Sequence, residues 1–318
     1  MNASLAVGAL AVAAAVLLAG CSSSSSPSAT SASSAPASAS QYPMTVAASN
    51  GKVTIKAKPD RIISLSATAT EDLYAVGAGS QVVAVDSDSD YPASAPRTSL
   101  SGLSPNLEAI AKYRPDLVIA SQNTSGLVSS LTKLGVPVLI ESAAANLDDA
   151  YAQIGQIGQA TGHDAQAQQT VTTMKSQIAS DVKQAGSSHK DLTYYWELNA
   201  NPYYSATSQT FIGQIVGLFG LKNIADAADK ASDGGYPELS QEFIVSARPR
   251  IIFLADNQVA DGGQTPAVVA KRPGWSVVPA VEDREIIGLL NDDIASRWGP
   301  RLPQLVAQIA QAVKEAGT

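Results

Sequence analysis

Two distant stretches, "LEAIAKYRPDLVIA" and "QEFIVSARPRIIFLA", repeat one pattern: a glutamate, an isoleucine two residues on, then an apolar run that follows a proline. Glu108 to Pro115 and Glu242 to Pro249 both span seven residues. A repeat of this kind predicts two similar lobes, each with a helix that begins at the glutamate. The proline stops it, because the residue before proline disfavours the α region, and the chain continues as a buried strand. Ser104-Pro105 and Ser240 are the expected caps. Taken alone, each glutamate is an ordinary acid at the positive end of a helix dipole.

The surrounding sequence repeats the theme. After a hairpin signal at Asn50-Gly51, "RIISLS", "VVAV", "LVIAS" and "PVLIE" are short continuous apolar runs separated by helical segments, as a parallel sheet covered on both faces requires. A helical stretch from Leu147 to Gly186 follows, broken near "TGHD". The strand and helix alternation then resumes through "DLTYYWEL", "RIIFLAD" and "EIIGLL". The predicted class is α/β: two Rossmann-like lobes with central parallel sheets joined by one long interlobe helix. The N-terminal lobe is expected over residues 45–145, the interlobe segment over 146–189 and the C-terminal lobe over 190–318. A single larger sheet with a helical insertion is the competing arrangement.

With 45% hydrophobic residues in 318, the chain can build a large core. Its net charge of -7 supplies no basic field for nucleic acid, which is excluded as a partner. The one cysteine, Cys21, follows an uncharged apolar run and closes "LLAGC". That stretch resembles the lipobox of bacterial lipoproteins, so residues 1–20 are expected to be a signal peptide and Cys21 the lipidated residue. Residues 21–44 are then mostly a Ser/Ala/Pro tether with no charge. The expected location is extracytoplasmic, anchored to the cell membrane by lipid only, and the expected state is a monomer.

At this point the chain resembles the class III periplasmic binding proteins of ABC importers, the group that handles ferric siderophores, vitamin B12 and haem. "RIISLSATATEDLYAVGAGSQVVAVDSDSDYP" resembles their first strand-helix-strand unit and "SPNLEAIAKYRPDLVIA" their second. "LSQEFIVSARPRIIFLAD" resembles the counterpart in the other lobe. The resemblance implies that Glu108 and Glu242 dock the two lobes on arginines of an ABC permease dimer, and that the ligand sits between the lobes. It implies no catalytic residue and no cofactor.

Ligands of open α/β sheets meet the loops at the carboxyl ends of strands. Those loops hold Asp88, Tyr91 and Gln122 in the first lobe. In the second they hold Trp196, Glu197, Tyr203, Tyr204, Tyr236, Asp292, Arg297 and Trp298, and these residues are the candidate ligand contacts. Aromatics there suit a large, partly apolar ligand. Trp196 has a second reading, since alternate residues of "TYYWEL" face the core. Cobalamin binders of the family carry aromatics at positions that correspond here to Asp88 and Gly102, whereas Tyr236 keeps one at a third. The expected cargo is therefore a ferric siderophore first, then a corrinoid or haem.

A metal site is not predicted. His163 and His189 have no ligand set beside them, and "DSDSDYP" lacks the glycine and distal glutamate of a calcium loop. The rival classes are a tethered surface enzyme and a partner-binding module. The first finds no nucleophile elbow, P-loop, zinc motif or third glycine after "GAGSQV".

Overall fold

The apolar runs pair side by side because a strand buried on both faces must find partners for its backbone N–H and C=O groups in neighbouring strands, not in water. The computed structural model describes residues 41–186, 189–257, 263–289 and 292–317. Strands β1 (Met44–Ala48) and β2 (Gly51–Ile55) make an antiparallel hairpin, Ala48 facing Gly51. The first lobe then runs through β3 (Ile62–Leu65), α1 (Ala67–Ala75), β4 (Val82–Asp86), β5 (Arg97–Leu100), α2 (Leu107–Lys112), β6 (Leu117–Ala120), α3 (Leu127–Lys133) and β7 (Val138–Ile140). Its sheet has the order β5-β4-β3-β6-β7, every pair parallel. Asn50 docks the hairpin on this sheet: its amide donates to Val138 O at 3.0 Å and accepts from Ile140 N at 3.1 Å.

Two helices connect the lobes, α4 (Leu147–Thr161) and α5 (Asp164–Ala185). Gly162, at φ 74°, ends the first in the left-handed conformation that glycine adopts without steric cost. At 22 residues α5 extends about 33 Å. The two helices cross closely at Gly158, where an added Cβ would stand 2.3 Å from the Ala167 Cβ.

The second lobe contains β8 (Thr193–Ala200), β9 (Tyr203–Ser205), α6 (Phe211–Gly217), β10 (Lys222–Asn223), β11 (Glu238–Leu239), α7 (Gln241–Ala247), β12 (Ile251–Leu254), α8 (Pro266–Val269), α9 (Pro279–Glu282), β13 (Ile286–Gly288), α10 (Asp292–Ser296) and α11 (Leu302–Ala316). Its order is β11-β9-β8-β12-β13, with β10 also on β8. The β8, β12 and β13 pairs are parallel, as expected, but β9 and β11 are antiparallel, so this sheet is mixed. The reason is the connection: two residues between β8 and β9 can close only a hairpin, because a parallel pair needs a long crossover. Helix α11 buries Leu305, Val306, Ile309 and Val313 at helical spacing and packs along α5.

The repeated units fold alike. Asn106, rather than Ser104, caps α2, its Oδ1 accepting from Ala109 N at 3.0 Å; Ser240 caps α7 through Phe243 N at 3.1 Å. Arg114 and Arg248, each just before the proline, take φ of 48° and 51°. The left-handed turn ends each helix, and proline prevents its continuation.

Candidate functional site

The carboxyl ends of both sheets open on one cleft with two adjoining chambers. The larger holds about 650 Å³ and the smaller about 270 Å³, and both are lined by Ser296 and Trp298. The first lobe gives the larger chamber a backbone strip, Ala143 to Ala145, while the second gives Phe211, Tyr236 and Leu198. The smaller chamber lies against Ser66, Asp86, Asp88, Gly102 and Leu103 of the first lobe, with Arg297 on its other side. Gly102 is held at a close approach: a Cβ there would meet Leu65 O at 2.5 Å. Gly102 and Tyr236 each stand six residues before the glutamate of their lobe.

The segment from Ser296 to Arg301 belongs to the second lobe by sequence yet is fastened to the first. Arg297 Nη1 reaches Asp90 at 2.7 Å and Glu71 at 3.1 Å, and its Nη2 donates to Asp88 O at 3.1 Å and pairs with Asp293 at 3.1 Å. Arg301 donates to the Glu71 carboxylate through Nε at 2.8 Å and again through Nη2. Burial works to raise the Asp90 carboxyl, but the hydrogen bond and charge of Arg297 hold it below its ordinary value. Burial likewise works against the Arg297 cation, and its bonds to Asp90 and Glu71 more than reverse that. Beside this network, Asp72 is buried and pushed well up by burial, then by the charges of Glu71 and Glu141. Burial alone raises Glu141 to about 8, and neither of its carboxylate oxygens has a hydrogen-bond partner among the described residues.

Three expected contacts lie outside both chamber linings. Trp196 is buried against Phe253, ring centroids 5.4 Å apart, because its position on β8 faces the core. Glu197 has no exposed surface; both its oxygens accept from Arg272 at 2.6 Å. Arg272 lies 5.2 Å over Tyr203 and 4.6 Å over Trp275, which places Tyr203 beneath the sheet and not in the cleft. The buried Glu197 carboxylate is thus met by a bidentate guanidinium.

Of the remaining candidates, Tyr236, Trp298, Asp88 and Arg297 line the cleft. Tyr91 lies under the Arg301 guanidinium at 4.3 Å, outside both linings. Tyr204 is exposed on β9 opposite Glu238, and Gln122 is half-buried beyond the lining residue Ser121. Glu108 and Glu242 are exposed in the first turns of α2 and α7, and neither has an ion-pair partner among the described residues. The Asp292 side chain and Cys21 lie outside the described residues.

Sequence reasoning passed over Phe211 and the buried acids. The signal for Glu71 was present: an acid on the inward face of α1 needs a cation, and Arg297 and Arg301, four residues apart later in the chain, both meet it. Among the described residues no group of histidine, cysteine, aspartate or glutamate could hold a metal ion, and no helix is long and apolar enough to cross a membrane.

Known proteins resemble this chain in sequence and fold. The sequence pattern of the periplasmic binding proteins matches residues 62–292. The uncharacterized ABC transporter substrate-binding lipoprotein YvrC of Bacillus subtilis (strain 168) is 30% identical over 309 residues, 94% of each chain. The vitamin B12-binding protein of Pectobacterium atrosepticum is 30% identical over 271 residues, 81% of this chain and 89% of that one. The periplasmic haem-binding protein RhuT of Roseiflexus sp. RS-1 superposes with a TM-score of 0.67 at 25% identity, over 81% of this chain and 99% of that chain.

Proposed function

The chain belongs to the periplasmic binding protein family, and we propose that its cargo is a corrinoid, captured between the lobes and handed to an ABC permease. It is an extracytoplasmic solute-binding protein and not an enzyme. The observation that carries the corrinoid reading is the state of Arg297. Among the described residues lining both chambers it is the one cation, and Asp90, Glu71 and Asp293 already surround it.

With that cation spent, the cleft offers acceptors and aromatic faces. Asp88 adds a carboxylate, while Phe211, Tyr236 and Trp298 supply flat surface. An anionic catecholate chelate or a haem with two carboxylates would meet no free positive group. A corrinoid presents a flat ring edged with primary amides, whose N–H groups donate to such acceptors. The vitamin B12-binding relative points the same way.

A ferric siderophore is the second reading, favoured by Gly102. No aromatic fits at that position, since even a Cβ would collide with Leu65 O. Calorimetric titration of the protein with cyanocobalamin, cobinamide, haemin and the ferric hydroxamate ferrioxamine B separates the two. Saturable binding of a corrinoid is expected; binding of ferrioxamine B or haemin with no heat from either corrinoid would overturn the assignment.

Delivery fits the same geometry. Two exposed carboxylates, one per lobe on matching helices, suit two basic pockets of a twofold permease. Lipidation at Cys21 would keep the protein beside that permease.

A further inference from the structure

Trp298 forms the wall common to both chambers, and its backbone is tethered on either side by Arg297 and Arg301. Those tethers hold the chain, but they do not set the plane of the indole. Its Nε1 donates to Gln153 Oε1 at 2.8 Å. Gln153 comes from α4, is 7% exposed, and donates through Nε2 to Ser142 O at 2.7 Å. We infer that Gln153 is a positioning residue that fixes the Trp298 ring as the wall of the cleft and thereby shapes the bound ligand's contact surface.

The chemistry allows the amide one orientation. A carbonyl oxygen only accepts and an indole N–H only donates, so the amide nitrogen must face Ser142 and the amide oxygen must face Trp298. Both partners are cleft elements, because Ser142 leads directly into the Ala143 to Ala145 strip. A single buried side chain of the connecting helix therefore sets the spacing between the backbone strip and the aromatic wall. A freed indole would be at liberty to rotate into the 650 Å³ chamber or out of it. The effect on ligand shape rests on the cleft being the ligand site; the effect on the ring does not.

Trp298 can be watched separately, since Trp196 and Trp275 are buried in the core. The difference between the emission of the wild-type protein and that of Trp298→Phe isolates its signal. In Gln153→Leu that signal should shift to the red and become more open to acrylamide, while the Kd for cyanocobalamin rises about tenfold, the worth of one buried hydrogen bond. Gln153→Glu keeps an oxygen facing the indole and, as the protonated acid, an O–H facing Ser142 O, so at acid pH it should retain the wild-type emission. The double variant Gln153→Leu with Trp298→Phe should bind no more weakly than Trp298→Phe alone. Should Gln153→Leu fail to fold, Gln153→Met carries the same comparison.

An unmoved Trp298 signal in Gln153→Leu, or a double variant weaker than Trp298→Phe, would overturn the inference. If the wild-type protein takes ferrioxamine B and no corrinoid, the cargo assignment falls. The emission arm still decides the positioning role in that case, with the affinity ratios read on ferrioxamine B.

Discussion

Glu141 follows β7 with its carboxyl buried and without a hydrogen-bond partner among the described residues, a placement that only its neutral form can occupy cheaply. The folded chain keeps this proton up to about pH 8, whereas the unfolded chain releases it near the ordinary glutamate value of 4.5. Between those values the folded state holds more protons, so stability falls as pH rises, by up to about 1.4 kcal/mol per pH step from this one group. Asp72, raised by burial and by its acidic neighbours, acts in the same direction. Glu141→Gln should therefore leave the Tm near its wild-type value at pH 5 and raise it at pH 8, flattening the fall seen in calorimetry. An identical pH profile in the two proteins would mean that Glu141 is ionised in the folded state.

Among the elements, the contact of α4 with α5 is the tightest constraint on how the lobes are joined. Gly158 admits the Ala167 methyl group so closely that no side chain can be added without separating the helices. Gly158→Ala places a methyl group 2.3 Å from another, and the relief must come from moving one helix. A loss of about 1–3 kcal/mol in urea unfolding is expected, in spite of the better helix propensity of alanine. The same displacement would carry Gln153 with α4, so cyanocobalamin affinity should weaken with it. Unchanged stability would show that the helices can part at no cost.

At the scale of the whole molecule, cargo and delivery occupy different surfaces of the same two units. Tyr236 faces the cleft and Glu242, six residues on, faces solvent; Gly102 and Glu108 repeat that relation in the first lobe. The double variant Glu108→Ala with Glu242→Ala should abolish uptake by cells while leaving the calorimetric affinity for cyanocobalamin unchanged, because neither glutamate lines the cleft. Equal loss of affinity and uptake would remove the docking role. The network of Glu71, Asp90, Arg297 and Arg301 sits between these functions, fastening the end of the second lobe to the first.

The lobes, their parallel strands and the connecting helices were legible because they follow from periodicity and punctuation: apolar runs of strand length, an Arg-Pro after each repeated helix, and a glycine in the break before α5. Local caps shifted by a residue or two, as with Asn106 in place of Ser104, since several polar residues compete for one orphan N–H. Tertiary structure decided the cleft. Trp196, Glu197 and Tyr203 stand at strand ends where ligands are expected, yet Trp196 packs on Phe253 in the core, and Arg272, arriving from far along the chain, closes Glu197 and Tyr203 into a box. Arg297 reads as a free cation in sequence and is neutralised by carboxylates of the other lobe. Periodicity is local and fixes which residues turn inward. Which buried charges meet, and so what charge is left to face a ligand, depends on contacts between residues more than two hundred positions apart.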